Sequence, residues 1–324
     1  MSAGSEFDII DRYFKPLAAG HPGALGLLDD AALMTVQDGH QLVVTSDALV
    51  EGVHFLNAQS PQDIAHKVVG VNLSDLAAMG ARPCAVFLAA QFPPHTDEAW
   101  IADFAKGLGE SLGESGAVLM GGDTVSTPGP MAFTLTALGE VKTGKALTRS
   151  GAKAGDALFV SGTIGDGALG LLCETGKLPK DDYLSDRYAR PQARLSLGMG
   201  LADLGLATAC IDVSDGLVAD VGHLCEASNV GATLQADRVP MSLAVKSCLH
   251  HERSLFDLVL AGGDDFELAF GVKHEHIESV ESLSQKLGIQ VTQIGVFEAD
   301  KPGVRVVNAH GQELSLKTSG YRHL

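Results

Sequence analysis

The sequence predicts an α+β protein of two domains, residues 1–145 and 146–324, each of which combines strands with helices. The chain has 324 residues, which is enough for two domains of ordinary size. Apolar strand-like runs alternate with segments of helical periodicity along the whole chain. A polar, glycine-rich stretch at 144–156 interrupts this pattern near the middle, and we place the domain boundary there.

In the N-terminal domain, helical periodicity at 6–18 is followed by two predicted strands, at 23–36 and 41–50. Pro61 begins a helix that Gly80 ends, because proline favours the first helical position and glycine the position after the last turn. The remaining elements are a buried strand, an amphipathic helix and two further strands, at 84–92, 97–116, 117–123 and 131–141.

The C-terminal domain is predicted to begin with the buried strand ALFVSG at 157–162. Helical patterns follow at 166–175, 191–204 and 215–229. Further apolar runs predict strands at 232–236, 257–261, 266–272, 290–297 and 303–307.

Two glycine motifs resemble phosphate-binding loops, but neither fits its mechanism. Residues 139–146 nearly match the P-loop, yet Ala146 stands where a Ser or Thr hydroxyl would bind Mg²⁺. Residues 165–170 match G-x-G-x-x-G after a strand, but no second strand ending in an acidic residue follows about 20 residues later. We interpret the first as a solvated connection and the second as a tightly packed helix start.

Composition limits the kinds of partner. The formal net charge is −17, which opposes binding to nucleic-acid backbones or to anionic membranes. No apolar run reaches the roughly 18 residues of a spanning helix, and the N-terminus lacks the pattern of a signal peptide. The five cysteines form no C-x-x-C pair and lie among apolar neighbours. We therefore expect a soluble, cytoplasmic protein with reduced cysteines.

Acidic residues that follow apolar segments are the most informative feature. Buried carboxylates are costly without partners, and few Lys or Arg residues lie near them in sequence, so we expect shared divalent cations and a phosphate-bearing substrate. Single aspartates also serve as helix caps and turn formers, an alternative to which Asp29, Asp30 and Asp265 are most open. The acids of this set are Asp29, Asp30, Asp47, Asp75, Asp123, Asp212, Asp215, Asp264 and Asp265. His54, in EGVHF, is either a substrate contact or an exposed loop residue.

Seven segments occur in one order and with spacings that resemble the thiamine-monophosphate kinase family. They are GLLDDAAL, TSDALVEGVHF, KVVGVNLSDLAAMGARP, GGDT, LTRSGAKAGD, IDVSDGL and AGGDDFEL. This family belongs to an ATP-binding superfamily with aminoimidazole ribonucleotide synthetase and selenophosphate synthetase. The resemblance implies a homodimer, in which the sheet of an N-terminal mixed α/β domain pairs across the dimer into a barrel beside a C-terminal α/β domain. It also implies that ATP and several Mg²⁺ ions lie in the cleft between the domains.

The resemblance further implies roles for individual residues. Those that match metal ligands are Asp30, Thr45, Ser46, Asp47, Asp75, Asp123, Asp212 and Asp215. Those that match ATP contacts are Gly122, Asp123, Arg149 and Ser214, and those that match substrate contacts are His54, Asp264 and Tyr321. The chain departs from the family where GGED is common, since it has Asp264 before Asp265, and at Leu324, where Phe is common.

The implied reaction is the phosphorylation of thiamine monophosphate by ATP in one in-line step. The attacking phosphate oxygen is already anionic, so no general base or covalent nucleophile is expected, and charge neutralisation dominates. Two alternatives are open: another ATP-dependent synthetase of the superfamily, which would release free phosphate, and a non-catalytic nucleotide-binding regulator, which would be expected to have lost several of the acids.

Overall fold

The computed structural model describes residues 6–299, 302–316 and 320. The chain forms two compact units. The first contains the residues up to Leu76 together with Arg82–Thr143, and the second contains Ala77–Ala81 together with the residues from Gly144 onward. The boundary predicted from sequence lay at 145/146, and the assignment of 77–81 to the second unit was not predicted.

The first unit begins with a broken helix and continues with strands and helices in alternation. The chain opens with α1 (Glu6–Ile9), a π-helical turn (Ile10–Phe14) and two 3₁₀ turns (Lys15–Ala18 and Pro22–Leu27). The elements that follow are β1 (His40–Val50), α2 (Pro61–Ala78), β2 (Arg82–Phe92), α3 (Glu98–Ser115), β3 (Val118–Ser126) and β4 (Ala132–Lys142).

The four strands of the first unit form one sheet in the order β1-β4-β2-β3. Strand β4 is antiparallel to β1 and β2, and β3 runs parallel to β2. Alternate residues of β4 are buried, and Phe133 stacks on Phe104 of α3 with 4.4 Å between ring centroids. The opposite face of β1 is exposed at Leu42 and Val44. Within the described residues this sheet does not close into a barrel.

The strand predicted at 23–36 is wrong. Its first part is a 3₁₀ turn, and three successive residues, Leu25, Gly26 and Leu27, have positive φ angles of 52°, 65° and 55°. The Leu33 N–H donates to the Gly23 carbonyl at 2.8 Å, which closes the segment into a loop. Successive residues in the left-handed region reverse the direction of the chain, so this segment cannot form an extended strand.

The second unit is a mixed sheet with helices on both faces. Its elements are β5 (Ala157–Ser161), α4 (Asp166–Glu174), α5 (Asp182–Ala189), α6 (Leu195–Leu204), β6 (Ala207–Val213), α7 (Leu217–Ser228), β7 (Gly231–Gln235), α8 (Leu243–His251), α9 (Phe256–Ala261), β8 (Glu267–Val272), α10 (Ile277–Leu287), β9 (Val291–Glu298) and β10 (Gly303–Val307). The strand order is β10-β7-β9-β5-β8-β6, in which only β10 and β7 are parallel neighbours.

Alternation along the strands explains the layers. On β5, Leu158 and Val160 pack in a cluster with α7, whereas Phe159 packs with α6 and α10 on the other face. The strand predicted at 257–261 is wrong, because DLVLA lies within helix α9 and buries Val259 and Leu260. None of the described helices has the length and apolar character needed to span a membrane.

Candidate functional site

In the first unit, β1 and α2 bring Thr45, Asp47 and Asp75 together. Thr45 and Asp47 are two residues apart on the strand and therefore share a face. The Thr45 hydroxyl donates to Asp75 Oδ2. Burial, together with the charge and a hydrogen bond of the neighbouring Asp75, raises the pKa of Asp47 to about 6. Two acids held this close repel each other when both are ionised.

Ser46 faces away from this pair. Its hydroxyl lies 2.9 Å from the Thr136 hydroxyl on the exposed side of the sheet. The structure therefore groups Thr45, Asp47 and Asp75 but does not bring the Ser46 side chain to them.

Asn72 supports the pair and was missed at the sequence level. It is fully buried on α2, and its Oδ1 accepts a hydrogen bond from the Asp47 N–H at 3.1 Å. Its Nδ2 donates to the Val68 carbonyl at 3.0 Å. Asn72 and Asp75 lie three residues apart within NLSD and therefore share one face of the helix. This spacing was the signal for Asn72 that the sequence offered.

His54 lies in the turn that follows β1. Its Nδ1 accepts a hydrogen bond from the Val50 N–H at 3.1 Å. An acceptor Nδ1 in a neutral imidazole leaves the proton on Nε2, so this ring presents an N–H donor at its other end. Such a donor suits a phosphate or a ring nitrogen of a substrate.

Asp30, Gly122 and Asp123 line one cavity of the first unit, with a volume of about 520 Å³. Its apolar walls include Phe14 and Met120. Gly122 has φ 154°, and a Cβ there would lie 1.9 Å from the Leu88 carbonyl oxygen, so no other residue fits without moving β2. Glycine is therefore required at position 122 by the close approach of β3 to β2.

In the second unit, Asp212 lies near the end of β6, and Ser214 and Asp215 lie in the loop that follows it. Asp212 is 4% exposed, and the other two are half-buried. The Ser214 carbonyl accepts a hydrogen bond from the Asp264 N–H at 2.9 Å. Residues predicted to contact metal, ATP and substrate therefore lie on two directly bonded loops of this unit.

Asp264 and Asp265 have different environments. Asp265 is 1% exposed, and its two carboxylate oxygens accept the N–H groups of Gly165 and Gly167 at 2.8 and 3.0 Å. Burial raises the pKa of Asp265 to about 8, although these two hydrogen bonds lower it. Asp264 is half-buried at the left-handed φ of 71°. Asp265 thus anchors the start of α4, at the G-x-G-x-x-G match of residues 165–170, whereas Asp264 is partly accessible.

Next to Asp265, basic side chains from distant parts of the sequence bind a different acid, Glu267. Glu267 is fully buried and binds two arginines: Arg187 Nη2 lies 3.0 Å from Oε1, and Arg194 Nε lies 2.7 Å from Oε2. Arg187 Nη2 also donates to the Asp265 carbonyl at 3.0 Å. Both arginines lie more than 70 residues before Glu267, so proximity in sequence could not reveal the pairing.

Two further predicted residues are Arg149 and Tyr321. Arg149 is exposed, and its carbonyl accepts a hydrogen bond from the Ser228 hydroxyl at 3.2 Å. Tyr321 lies outside the described residues. Its neighbour Gly320 packs on α7, where a Cβ would lie 2.4 Å from that of Ala219.

The oxygen ligands of the candidate site fit Mg²⁺, which keeps bound water, rather than a metal whose ligands are all protein side chains. In the part of the chain that is described, no group of three or more His, Cys, Asp or Glu side chains is arranged to hold a metal ion. Mg²⁺ instead keeps several waters and binds through one or two carboxylates plus substrate phosphates. The Asp47–Asp75 pair supplies hard oxygen ligands of this kind, and a divalent cation would remove their repulsion.

Comparison with known proteins covers nearly the whole chain. The AIR synthase related protein N-terminal domain matches residues 28–141, and the corresponding C-terminal domain matches residues 153–308. Thiamine-monophosphate kinase of Escherichia coli (strain K12) is 40% identical over 327 aligned positions, covering 99% of this chain and 98% of the relative.

Solved structures give the same result. The crystal structure of thiamine-monophosphate kinase from Stenotrophomonas maltophilia K279a superposes with a TM-score of 0.84 at 40% identity, covering 97% of this chain and 99% of that one. A structure described as "AaThiL complexed with AMPPCP and TMP" has a TM-score of 0.78 at 27% identity, covering 98% and 97%. The chain belongs to the thiamine-monophosphate kinase family, within the AIR synthase related proteins.

Proposed function

We propose that this chain transfers the γ-phosphoryl group of ATP to thiamine monophosphate, giving thiamine diphosphate and ADP. The observation that carries the proposal is 40% identity to a thiamine-monophosphate kinase along essentially the full chain. A related structure is described as a complex with AMPPCP and TMP, which matches the two substrates. The paired Asp47 and Asp75 add a chemical reason, because two anionic phosphates need shared positive charge.

Magnesium ions, when bound, would neutralise the phosphates of both substrates. Asp47, Asp75 and Thr45 would hold them from β1 and α2, with Ser46 contributing through its backbone rather than its hydroxyl. The remaining carboxylates proposed for this task are Asp30, Asp123, Asp212 and Asp215. Asp47 has a pKa of about 6 without metal, so its carboxyl group is mostly ionised near neutral pH, and a bound cation would favour this ionised form further.

The other proposed contacts follow from charge and hydrogen-bonding capacity. Gly122, Arg149 and Ser214 would contact ATP through a close backbone approach, a guanidinium and a hydroxyl. The Nε2–H of His54 would donate to the second substrate. The Asp264 carboxylate suits the positive thiazolium ring of thiamine, and Tyr321 is retained as a contact to the same substrate. The attacking phosphate oxygen is an anion, so catalysis consists of orientation and charge neutralisation without a general base.

We further propose that the enzyme is a cytoplasmic homodimer. Strand β1 exposes Leu42 and Val44, 37% and 57% accessible, on the sheet face that α3 does not cover. A second copy of this sheet could cover the face and complete a barrel. In this proposal residues 1–145 form the dimerisation and ATP- and metal-binding domain, and residues 146–324 form the C-terminal domain.

The direct test is incubation of the purified chain with ATP, Mg²⁺ and thiamine monophosphate, followed by chromatography. The expected product is thiamine diphosphate in amounts equal to the ADP formed. Release of ADP with free phosphate would instead indicate a synthetase. No ADP and no thiamine diphosphate, with nucleotide still bound, would contradict an enzymatic role.

A further inference from the structure

The loop that carries Ser214 and Asp215 is held by one internal anion. Asp220 Oδ2 accepts three successive backbone N–H groups, those of Ser214, Asp215 and Gly216, at 3.1, 3.1 and 3.0 Å. The Asp220 side chain lies on α7 and is 2% exposed. Successive N–H groups that converge on one point form a concave binding place for an anion. Here the chain itself supplies that anion.

The other edge of the same loop is also fixed. The Ser214 carbonyl accepts the Asp264 N–H at 2.9 Å, and the Val213 carbonyl accepts the Phe266 N–H at 2.8 Å. Gly263 fits closely against the loop, since a Cβ there would lie 2.2 Å from the Ser214 carbonyl oxygen. The N–H groups of the loop therefore face Asp220 and its carbonyls face residues 263–266. What remains for a ligand is the half-buried side chains of Ser214 and Asp215.

We propose that Asp220 is a positioning residue, which fixes the 213–216 loop in the geometry that lets Ser214 and Asp215 meet ATP and its metal ions. The identity of these ligands rests on the proposed function. Asp220 itself does not reach them, because it is buried and its Oδ2 is occupied by the loop. Loss of Asp220 therefore acts on the ligands through the loop and not by removing a contact.

Two substitutions at Asp220 distinguish the effect of its negative charge from that of its acceptor oxygen. Asp220→Asn keeps an oxygen acceptor for the three N–H groups but removes the negative charge, and hydrogen bonds to a charged acceptor are about twice as strong as neutral ones. Asp220→Ala removes the acceptor and leaves three N–H groups around an opening the size of a carboxylate.

Asp156 provides the matched control in the same unit. It is 7% exposed, and its Oδ2 accepts the Lys153 N–H at 2.9 Å and the Thr208 hydroxyl at 2.8 Å. It thus fixes a turn as Asp220 does, but outside the candidate site. Asp156→Ala is expected to lower the Tm while leaving the KM values for ATP and Mg²⁺ unchanged.

The first measurement is the KM for ATP and the Mg²⁺ concentration at half-maximal rate, together with calorimetric binding of Mg-ATP. Asp220→Ala is expected to raise the KM for ATP by about tenfold to a hundredfold, the range that small misplacements cause. Asp220→Asn is expected to lie between Asp220→Ala and the wild type. A folded Asp220→Ala protein that binds Mg-ATP like the wild type would overturn the proposal. If Asp220→Ala does not fold, wild-type affinity in Asp220→Asn would overturn it.

The second measurement is rescue by formate, a carboxylate small enough for the opening. Formate is expected to raise the Tm of Asp220→Ala and to lower its KM for ATP, with no effect on the wild type or on Asp156→Ala. An equal Tm rise in Asp156→Ala would contradict a specific place for the anion. The Tm measurement needs no turnover, so it tests the positioning role of Asp220 separately from the proposed reaction. If formate raises the Tm of Asp220→Ala but the wild type forms no thiamine diphosphate, the positioning role is kept and the proposed reaction is rejected.

Discussion

Asp264 and Asp265 are adjacent in sequence, yet Asp265 is buried and Asp264 is half-buried. Asp265 uses both carboxylate oxygens to bind backbone N–H groups inside the unit. The backbone of Asp264 has a left-handed φ of 71°. This conformation costs a non-glycine residue about 1–3 kcal/mol and persists only where the surrounding structure holds it. Phe266 has φ 52° as well. Backbone strain on both sides of Asp265 is consistent with a segment shaped for binding.

The first prediction is that neutral substitutions at these two positions have different effects. Asp264→Asn is expected to keep the Tm, because Asn tolerates a left-handed φ, and to raise the KM for thiamine monophosphate. Above about pH 8, where Asp265 is ionised and both of its oxygens accept, Asp265→Asn places an NH₂ group against a backbone N–H, so it is expected to lower the free energy of unfolding by about 1–3 kcal/mol. Thermal unfolding and steady-state kinetics of both variants check this. The same Tm loss in both would contradict the assignment.

The second prediction concerns pH. Burial raises the folded-state pKa of Asp265 to about 8, far above its value in an unfolded chain. The folded state therefore holds this proton over a range in which the unfolded state has lost it. Its contribution to stability is complete below about pH 4 and declines as the pH rises towards 8. Over this range the Tm of Asp265→Asn is expected to change less with pH than that of the wild type. Parallel Tm profiles would show that Asp265 does not titrate there.

The third prediction is that Asp47→Ala keeps the fold but lowers kcat by more than about a hundredfold, because it removes a carboxylate of the proposed magnesium site. Circular dichroism and the product assay at saturating Mg²⁺ measure the two effects. Glu226→Ala is a suitable control, since that side chain is 73% exposed on α7. Near-normal turnover in Asp47→Ala would remove this residue from the site.

At the scale of elements, β1 serves two surfaces. Thr45 and Asp47 face α2, whereas Leu42, Val44 and Ser46 face outward. The twofold period of a strand separates these sets and could be read from the sequence. Which set faces which neighbour depends on the register of β1 with β4 and on α2, and these were not available from the sequence.

The fourth prediction tests the outward face of β1. Val44→Lys is expected to weaken a dimer by about tenfold or more, because it places an unpaired ammonium in a face that the second copy would cover. Leu204→Lys is the matched control: Leu204 is 63% exposed on α6 of the second unit, and its replacement should not change association. Sedimentation at several concentrations gives both values. A monomeric wild type, or a Val44→Lys dimer of unchanged affinity, would exclude this interface.

Elements with a clear period or clear end signals were predicted well, and short apolar runs were not. The helix that begins at Pro61 and the strand at 41–50 correspond to α2 and β1. The run at 257–261 has five residues, too few to distinguish a strand from a buried helix. The run at 23–36 failed because leucines at positive φ leave no mark in a sequence. Strand β6 and helices α5, α8 and α10 were not predicted.

At the scale of the whole molecule, the sequence identified acids but not their supports. Asp47, Asp123, Asp212 and Asp264 could be found because each follows an apolar run. Asn72 and Asp220 were not found, although the NLSD spacing was a signal for Asn72, since their roles depend on the backbone N–H groups that folding brings to them. The buried Glu267 with its arginines was missed for the same reason. Asn72 and Glu267 act through contacts between distant segments, whereas Asp220 lies only four to six residues from the N–H groups that it accepts.

A chain of net charge −17 that gathers carboxylates should gain stability from divalent cations, which is the fifth prediction. Mg²⁺ is expected to raise the Tm beyond the effect of NaCl at equal ionic strength, because binding to the folded state alone adds about 2.7 kcal/mol at a hundred times Kd. Asp47→Asn removes the repulsion with Asp75, so without Mg²⁺ its Tm should equal or exceed that of the wild type, and its rise with Mg²⁺ should be smaller.

Asp182→Asn provides the charge-matched control, since that side chain is 95% exposed and lies on α5 of the second unit. It removes the same unit of charge but should retain the full rise in Tm with Mg²⁺. Scanning calorimetry at several Mg²⁺ concentrations distinguishes the variants. If Asp47→Asn and Asp182→Asn respond equally to Mg²⁺, the gain comes from general screening of the acidic surface. If only Asp47→Asn loses the response, the Asp47–Asp75 pair binds the cation, because screening depends on net charge and both variants have the same net charge.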